Sequence, residues 1–310
     1  MMSDDMSVIA KLISLVAFCP PIKSSYKLLV RQPADNTDND NNEDSRLYID
    51  LTPDAKLYIQ ETKYRRYRQL LQLSSDEFRY HCFRTRVTAN GNRLIGLIVW
   101  APKEKEEEGE DRHITSDGQQ TYTIVYSHSN GSDLGLMIGS LHKLSVNCRV
   151  NVCSYDYSGY GMSDGRPSER NIYADIETVV KHLIREFRID PKHIILYGES
   201  IGSVPTIHLS ASGRMSVAGV ILAAPIKSGI RTFCDYQGRT YTFDPFPNIE
   251  KIGRIDCPVL VIHGMKDRVI SIAHGISLYK ASKHKVSPLW LPEANHGNVR
   301  LQEPYFERII

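Results

Sequence analysis

The chain has 310 residues, 41% hydrophobic and 24% charged, which is enough apolar material for a buried core in one large domain or two small ones. Its formal net charge of +2 leaves no global field to recruit nucleic acid. Six cysteines (Cys19, Cys82, Cys148, Cys153, Cys234 and Cys257) form neither a C-x-x-C pair nor a small-protein disulfide framework, so they read as thiols in a reducing compartment.

The stretch Val8 to Phe18 is apolar except for Lys11 and Ser14. Ser7, Lys11 and Ser14 lie at i, i+4 and i+7, so a helix here carries one narrow polar stripe, and Pro20 and Pro21 end it. It falls short of the about 20 residues a membrane span needs. Asp4 and Asp5 stand where a secretory signal would be positive, and no A-x-A site follows. The expectation is a helix lying in the membrane interface, with Cys19 at its end as a candidate acylation site. The alternative is a helix capping the domain with an inert thiol. Residues 1–32 thus form a membrane-associating segment. Residues 33–45, with one alanine as their only apolar content, form a disordered linker. Residues 46–77 are an extension of undetermined packing, and 78–310 form the main domain.

From residue 78 short β-branched runs alternate with helical stretches. Strands are expected at Leu94–Trp100, Thr123–Tyr126, Val150–Ser154, Ile194–Tyr197, Val217–Leu222 and Val259–Ile262. Lys103–Gln120, containing Glu106, Glu107 and Glu108, reads as a long exposed hairpin insertion. Helices are expected at Leu134–Leu144, Arg170–Phe187 (capped by Ser168), Val204–Ala211 and Ala273–Ser282. The alternation predicts an α/β fold with a doubly wound, mostly parallel sheet and an antiparallel N-terminal edge.

The strongest chemical signal is Gly198-Glu199-Ser200-Ile201-Gly202, a G-x-S-x-G between an apolar strand and a helix. That context suits a nucleophile elbow of the α/β-hydrolase type, with Ser200 on a tight turn and the amide of Ile201 free to serve a developing oxyanion. Such folds need serine, acid and histidine in that chain order. Asp267 follows the strand at Val259, and His296 lies in a loop beyond Leu289, so the expected triad is Ser200, Asp267 and His296. His263, His274 and His284 are less well placed. Ser127 to Gly131 ends another strand in small polar residues, and Asn130 is the candidate second backbone donor to the oxyanion. The glycine-rich Tyr155 to Gly165 lacks a P-loop lysine and G-x-G-x-x-G spacing, so it reads as a pocket-shaping loop. No zinc-type Cys/His cluster stands out in the sequence, and the triad chemistry asks for no metal or cofactor.

The runs Ser127 to Gly135, Ser154 to Gly161, Gly165 to Asn171, Ile194 to Thr206 and Phe246 to Ile252 carry a resemblance. Over about residues 78–310 the chain resembles the α/β-hydrolase domain-containing protein 17 family, membrane-associated thioesterases that remove palmitate from cysteines of peripheral proteins. The resemblance implies Ser200, Asp267 and His296 as the triad and S-acylated peripheral membrane proteins as substrates. It also implies a peripheral location on the cytoplasmic face of the plasma membrane or endosomes. Four departures stand out. Ser129 replaces a glycine of the family pattern, Cys19 is alone where the family clusters cysteines, the 103–120 insertion is foreign, and the chain stops at Ile310. If residue 129 required a left-handed backbone, serine would cost about 1 kcal/mol there. An esterase or lipase, a serine peptidase, and a non-catalytic scaffold of the same fold are the alternatives.

Overall fold

A computed structural model describes residues 17–31, 46–51, 80–102, 121–233 and 244–310. Their strands form one ten-stranded sheet, ordered β1-β2-β3-β4-β6-β5-β7-β8-β9-β10. The strands are β1 (Tyr26–Arg31), β2 (Arg46–Leu51), β3 (Tyr80–Arg84), β4 (Ile95–Val99), β5 (Thr123–Ser127), β6 (Asn151–Tyr155), β7 (Ile194–Glu199), β8 (Gly219–Ala223), β9 (Val259–Gly264) and β10 (Leu289–Leu291). Strands β5 to β10 run parallel to one another, whereas β1 to β4 pair antiparallel, β4 meeting β6 in the antiparallel sense. The helices are α1 (Leu134–Cys148), α2 (Glu169–Glu186), α3 (Ser203–Ser210), α4 (Gly229–Phe233), α5 (Ile272–Ala281) and α6 (Pro304–Ile309). The mostly parallel α/β sheet with an antiparallel N-terminal edge, expected from the alternation, is the observed one.

Alternate residues of the central strands feed two separate cores, as the period of a strand requires. Val125, Leu196 and Val261 pack under Ile176, Val180, Val204 and Leu278 of α2, α3 and α5. Ile124, Tyr126, Tyr197 and Ile262 pack under Leu134, Met137 and Leu141 of α1 and Tyr305 of α6. Both faces are therefore covered, which is why the central strands are nearly continuous apolar runs. Asp133 caps α1 by accepting from the Leu136 amide at 3.1 Å, and Ser168 caps α2 through the Asn171 amide at 3.1 Å.

The antiparallel edge is larger than expected, because β1 and β2 lie ahead of residue 78 and extend the sheet. From Ala17 to Tyr26 the chain runs as a strap fastened to the main domain. The Ser25 amide donates to Asp133 Oδ2 at 2.7 Å, the Ser25 hydroxyl also bonds Asp133, and the Tyr26 hydroxyl donates to Asp156 Oδ2 at 2.5 Å. Most of the expected interfacial helix, the 33–45 linker and the 103–120 insertion lie outside the described residues. Among the described residues no helix is long and apolar enough to cross a membrane.

Candidate active site

β7 ends at Glu199, and Ser200 then turns sharply with φ +55°, a left-handed backbone rare for a side chain with a Cβ. Two glycines make the turn possible. A Cβ on Gly198 would sit 2.5 Å from the Gly202 carbonyl oxygen, and one on Gly202 only 2.0 Å from that of Ser127. Strand, turn and α3 thus approach more closely than any other residue allows, and the strain lifts the serine hydroxyl out of the sheet. Ser203 braces the turn: its hydroxyl donates to the Ser200 carbonyl at 2.6 Å and accepts from the Ile226 amide at 3.1 Å.

Asp267 and His296 come from the loops after β9 and β10, which are parallel neighbours and so release both loops at one edge of the sheet. The loops are stitched together. The Met265 amide donates to Leu291 at 2.8 Å and the Lys266 amide to Ala294 at 2.9 Å. A Cβ on Gly264 would lie 2.4 Å from the Ala294 carbonyl oxygen, so this close approach needs glycine. The result is a linear chain of side chains. His296 Nε2 lies 3.1 Å from Ser200 Oγ, and His296 Nδ1 lies 2.7 Å from Asp267 Oδ2.

Asp267 is itself tightly held. Its Oδ1 accepts from the amides of Val269 at 2.9 Å and Ile270 at 2.8 Å. Burial alone would raise its pKa. Hydrogen bonds from His263, His296 and the Ile270 amide outweigh that and hold the carboxyl well below the usual carboxylate range. Here the structure enlarges the sequence reading, which set His263 aside. Its Nε2 lies 2.9 Å from the Ile270 carbonyl, fixing that nitrogen as the protonated one, and 3.4 Å from Asp267 Oδ2. The sequence signal was its position at the end of a buried strand, four residues before an aspartate. His274 accepts from the Lys227 amide and bonds the Arg231 carbonyl, and His284 pairs with Asp256, so neither joins the chain.

The loop after β5 lies against the elbow at Gly202. Gly131 takes the left-handed conformation there, with φ +71°, and Ser129 does not, so the substitution at 129 carries no left-handed strain. The Ile201 side chain is buried at the start of the turn leading to α3. Asn130 proves to be a side-chain peg. Its Oδ1 accepts from the Cys19 amide at 2.8 Å and the Tyr160 hydroxyl at 2.7 Å, and its Nδ2 donates to Ala17 at 2.8 Å. Cys19 is exposed beside it, while Phe18 is buried edge-on against Phe246 at 5.8 Å. The glycine-rich loop props this arrangement from below, with the Tyr157 hydroxyl donating to the His128 carbonyl at 2.6 Å. Sequence reading placed that loop beside the site but found neither the peg nor the strap, since each links residues more than a hundred positions apart.

A family model described as serine aminopeptidase, S33, matches residues 118–233. The human α/β hydrolase domain-containing protein 17B is 42% identical over 229 residues, 74% of this chain and 73% of that one. The chain belongs to the α/β-hydrolase domain-containing protein 17 family. The mouse 17C protein of this family is 45% identical over 188 residues, 61% of this chain and 58% of its own length. Among solved structures, an α/β hydrolase from Vibrio vulnificus superposes with a TM-score of 0.57 at 17% identity, covering 89% of this chain and 97% of that one. An esterase from Pyrococcus furiosus does so with a TM-score of 0.55 at 19% identity, covering 75% and 88%. These likenesses, at low identity, bear on the fold alone. Membership of the 17 family makes the chain a hydrolase.

Proposed function

We propose that this hydrolase removes palmitoyl and other long-chain acyl groups from protein cysteines through a Ser200 acyl-enzyme. The observation that carries the reading is the unbroken chain from Ser200 Oγ through His296 to Asp267, at 3.1 and 2.7 Å. Ser200 Oγ attacks the thioester carbonyl while His296 Nε2 takes its proton, and Asp267 holds the ring and stabilises the imidazolium. The carbonyl oxygen becomes an oxyanion served by the amides of Ile201 and Asn130. Collapse of the tetrahedral adduct breaks the carbon–sulfur bond, and the cysteine leaves as thiol with the proton from His296. Water, deprotonated by His296, then releases the fatty acid and restores Ser200.

The triad chemistry serves ester, thioester and amide alike, and the 17-family membership favours thioesters. The test is labelling with a fluorophosphonate probe, followed by turnover of matched palmitoyl thioester, oxygen ester and amide. Wild type should label and Ser200→Ala should not, with thioester turned over fastest. Rapid amide cleavage without thioester turnover would sink the thioesterase reading in favour of a peptidase. The exposed position of Cys19 also supports acylation there and docking of the N-terminal segment on the cytoplasmic face of a membrane, next to S-acylated peripheral proteins as substrates. Membrane fractionation of Cys19→Ser checks this, since unchanged association would refute acyl anchoring.

A further inference from the structure

Resting on the hydrolase reading above, the structure points to a second pair of residues that the triad depends on. Glu199 immediately precedes Ser200, and its side chain is almost completely buried. A carboxylate at that position opposes the reaction, because attack by Ser200 creates a negative oxyanion nearby in surroundings that screen poorly. The fold supplies a counterion. Glu199 Oε1 lies 3.4 Å from Nε of Arg300, and Oε2 accepts a 2.5 Å hydrogen bond from the Tyr126 hydroxyl. Arg300 is four residues beyond His296, in the short turn Val299–Leu301, and its Nη1 reaches Met137 Sδ of α1 at 3.7 Å.

The ion pair therefore ties the strand presenting the nucleophile directly to the segment presenting the base. A second tie runs parallel to it, as the hydroxyls of Tyr197 in β7 and Tyr305 in α6 meet at 2.8 Å. The rings of Tyr126 and Tyr197 stack at 4.3 Å with 11° between their planes, so both ties share one rigid support. Such anchoring is needed, because the His296 loop is carried on β10, a strand of only three residues.

We propose that Glu199 and Arg300 are positioning residues of the active site. Arg300 neutralises the carboxylate next to the nucleophile and holds the His296 segment at hydrogen-bonding distance from Ser200. Neither residue touches substrate.

The test compares kcat and KM on a short-chain p-nitrophenyl ester for wild type, Arg300→Met, Arg300→Lys and the double variant Glu199→Gln/Arg300→Met, with the Tm of each. Arg300→Met should lower kcat about 10²-fold with KM within about twofold, as a misplaced base would. Arg300→Lys should recover most of the loss. The double variant, which leaves no stranded carboxylate, should be faster than Arg300→Met yet slower than wild type. A kcat for Arg300→Met within about threefold of wild type would overturn the proposal, as would a loss confined to KM. Should Arg300→Met fail to fold, a wild-type kcat in the double variant would overturn it equally. Fluorophosphonate labelling separates the two levels: an unlabelled wild type defeats the hydrolase reading, whereas a labelled wild type with unaffected variants defeats only the role of the ion pair.

Discussion

Asp267 distributes four donors over two oxygens: the amides of Val269 and Ile270 on Oδ1, and the rings of His296 and His263 beside Oδ2. An amide cannot replace it. In Asp267→Asn either the two backbone amides or the two imidazoles face an NH2 group, so donors meet donors. If the His296 side yields, the ring adopts the tautomer that offers N–H to Ser200, and kcat should fall by about 10⁴-fold. Ester hydrolysis and probe labelling check this, and a loss under tenfold would contradict the role assigned to Asp267. The depressed pKa has a defined sign. Its stabilising contribution is present above the ordinary aspartate pKa of 3.8 and is lost only as pH falls below it. Mild acidification therefore leaves this carboxylate ionised.

At the scale of elements, α2 is joined to the glycine-rich loop by an aspartate with the opposite behaviour. Asp175 accepts from the Ser158 amide at 2.8 Å and its hydroxyl at 2.7 Å. Burial nevertheless pushes its pKa up to about 7. With the folded pKa above the unfolded value of 3.8, the folded state binds the extra proton. The stability this gives is complete below 3.8 and disappears as pH rises through about 7. Asp175→Asn keeps the shape and an acceptor oxygen for the Ser158 amide, its NH2 donating to the Ser158 hydroxyl oxygen, while removing the titration. Urea midpoints measured from pH 4 to 8 should fall less steeply with pH in the variant than in wild type, and parallel profiles would disprove the assignment. The helix itself is legible from Ile172, Ile176, Val179, Val180, Leu183, Ile184 and Phe187 on one face, of which the first five are buried and the last two partly buried.

Across the whole molecule, the strap joins the N-terminal segment to the site through Asn130, Asp133 and Asp156. Tyr26 is the most buried residue of the strap itself, and its acceptor Asp156 also accepts from the Leu134 amide at the start of α1 at 3.0 Å. Tyr26→Phe removes one donor from a buried carboxyl and should cost about 1–3 kcal/mol, lowering Tm by roughly 2–4 °C per kcal/mol. Calorimetry decides it: a Tm within about 1 °C of wild type would mean the strap bears no load there. A short-ester kcat near that of wild type is expected, because the bond lies outside the Ser200, His296 and Asp267 chain.

The sequence alone determined the alternation of strands and helices, the elbow at Ser200, and the order in which acid and histidine follow. These are local facts, set by apolar periodicity and by turn chemistry that a few neighbouring residues dictate. The sequence singled out His296, but only tertiary structure brings it to Ser200, 96 positions away, because β7, β9 and β10 belong to one parallel run and release their loops at the same edge. Tertiary structure also decided that His263 supports Asp267, that the Asn130 side chain pegs the strap, and that Arg300 faces Glu199. No spacing rule encodes such pairs. Each depends on where packing of two covered sheet faces leaves a polar group to be satisfied.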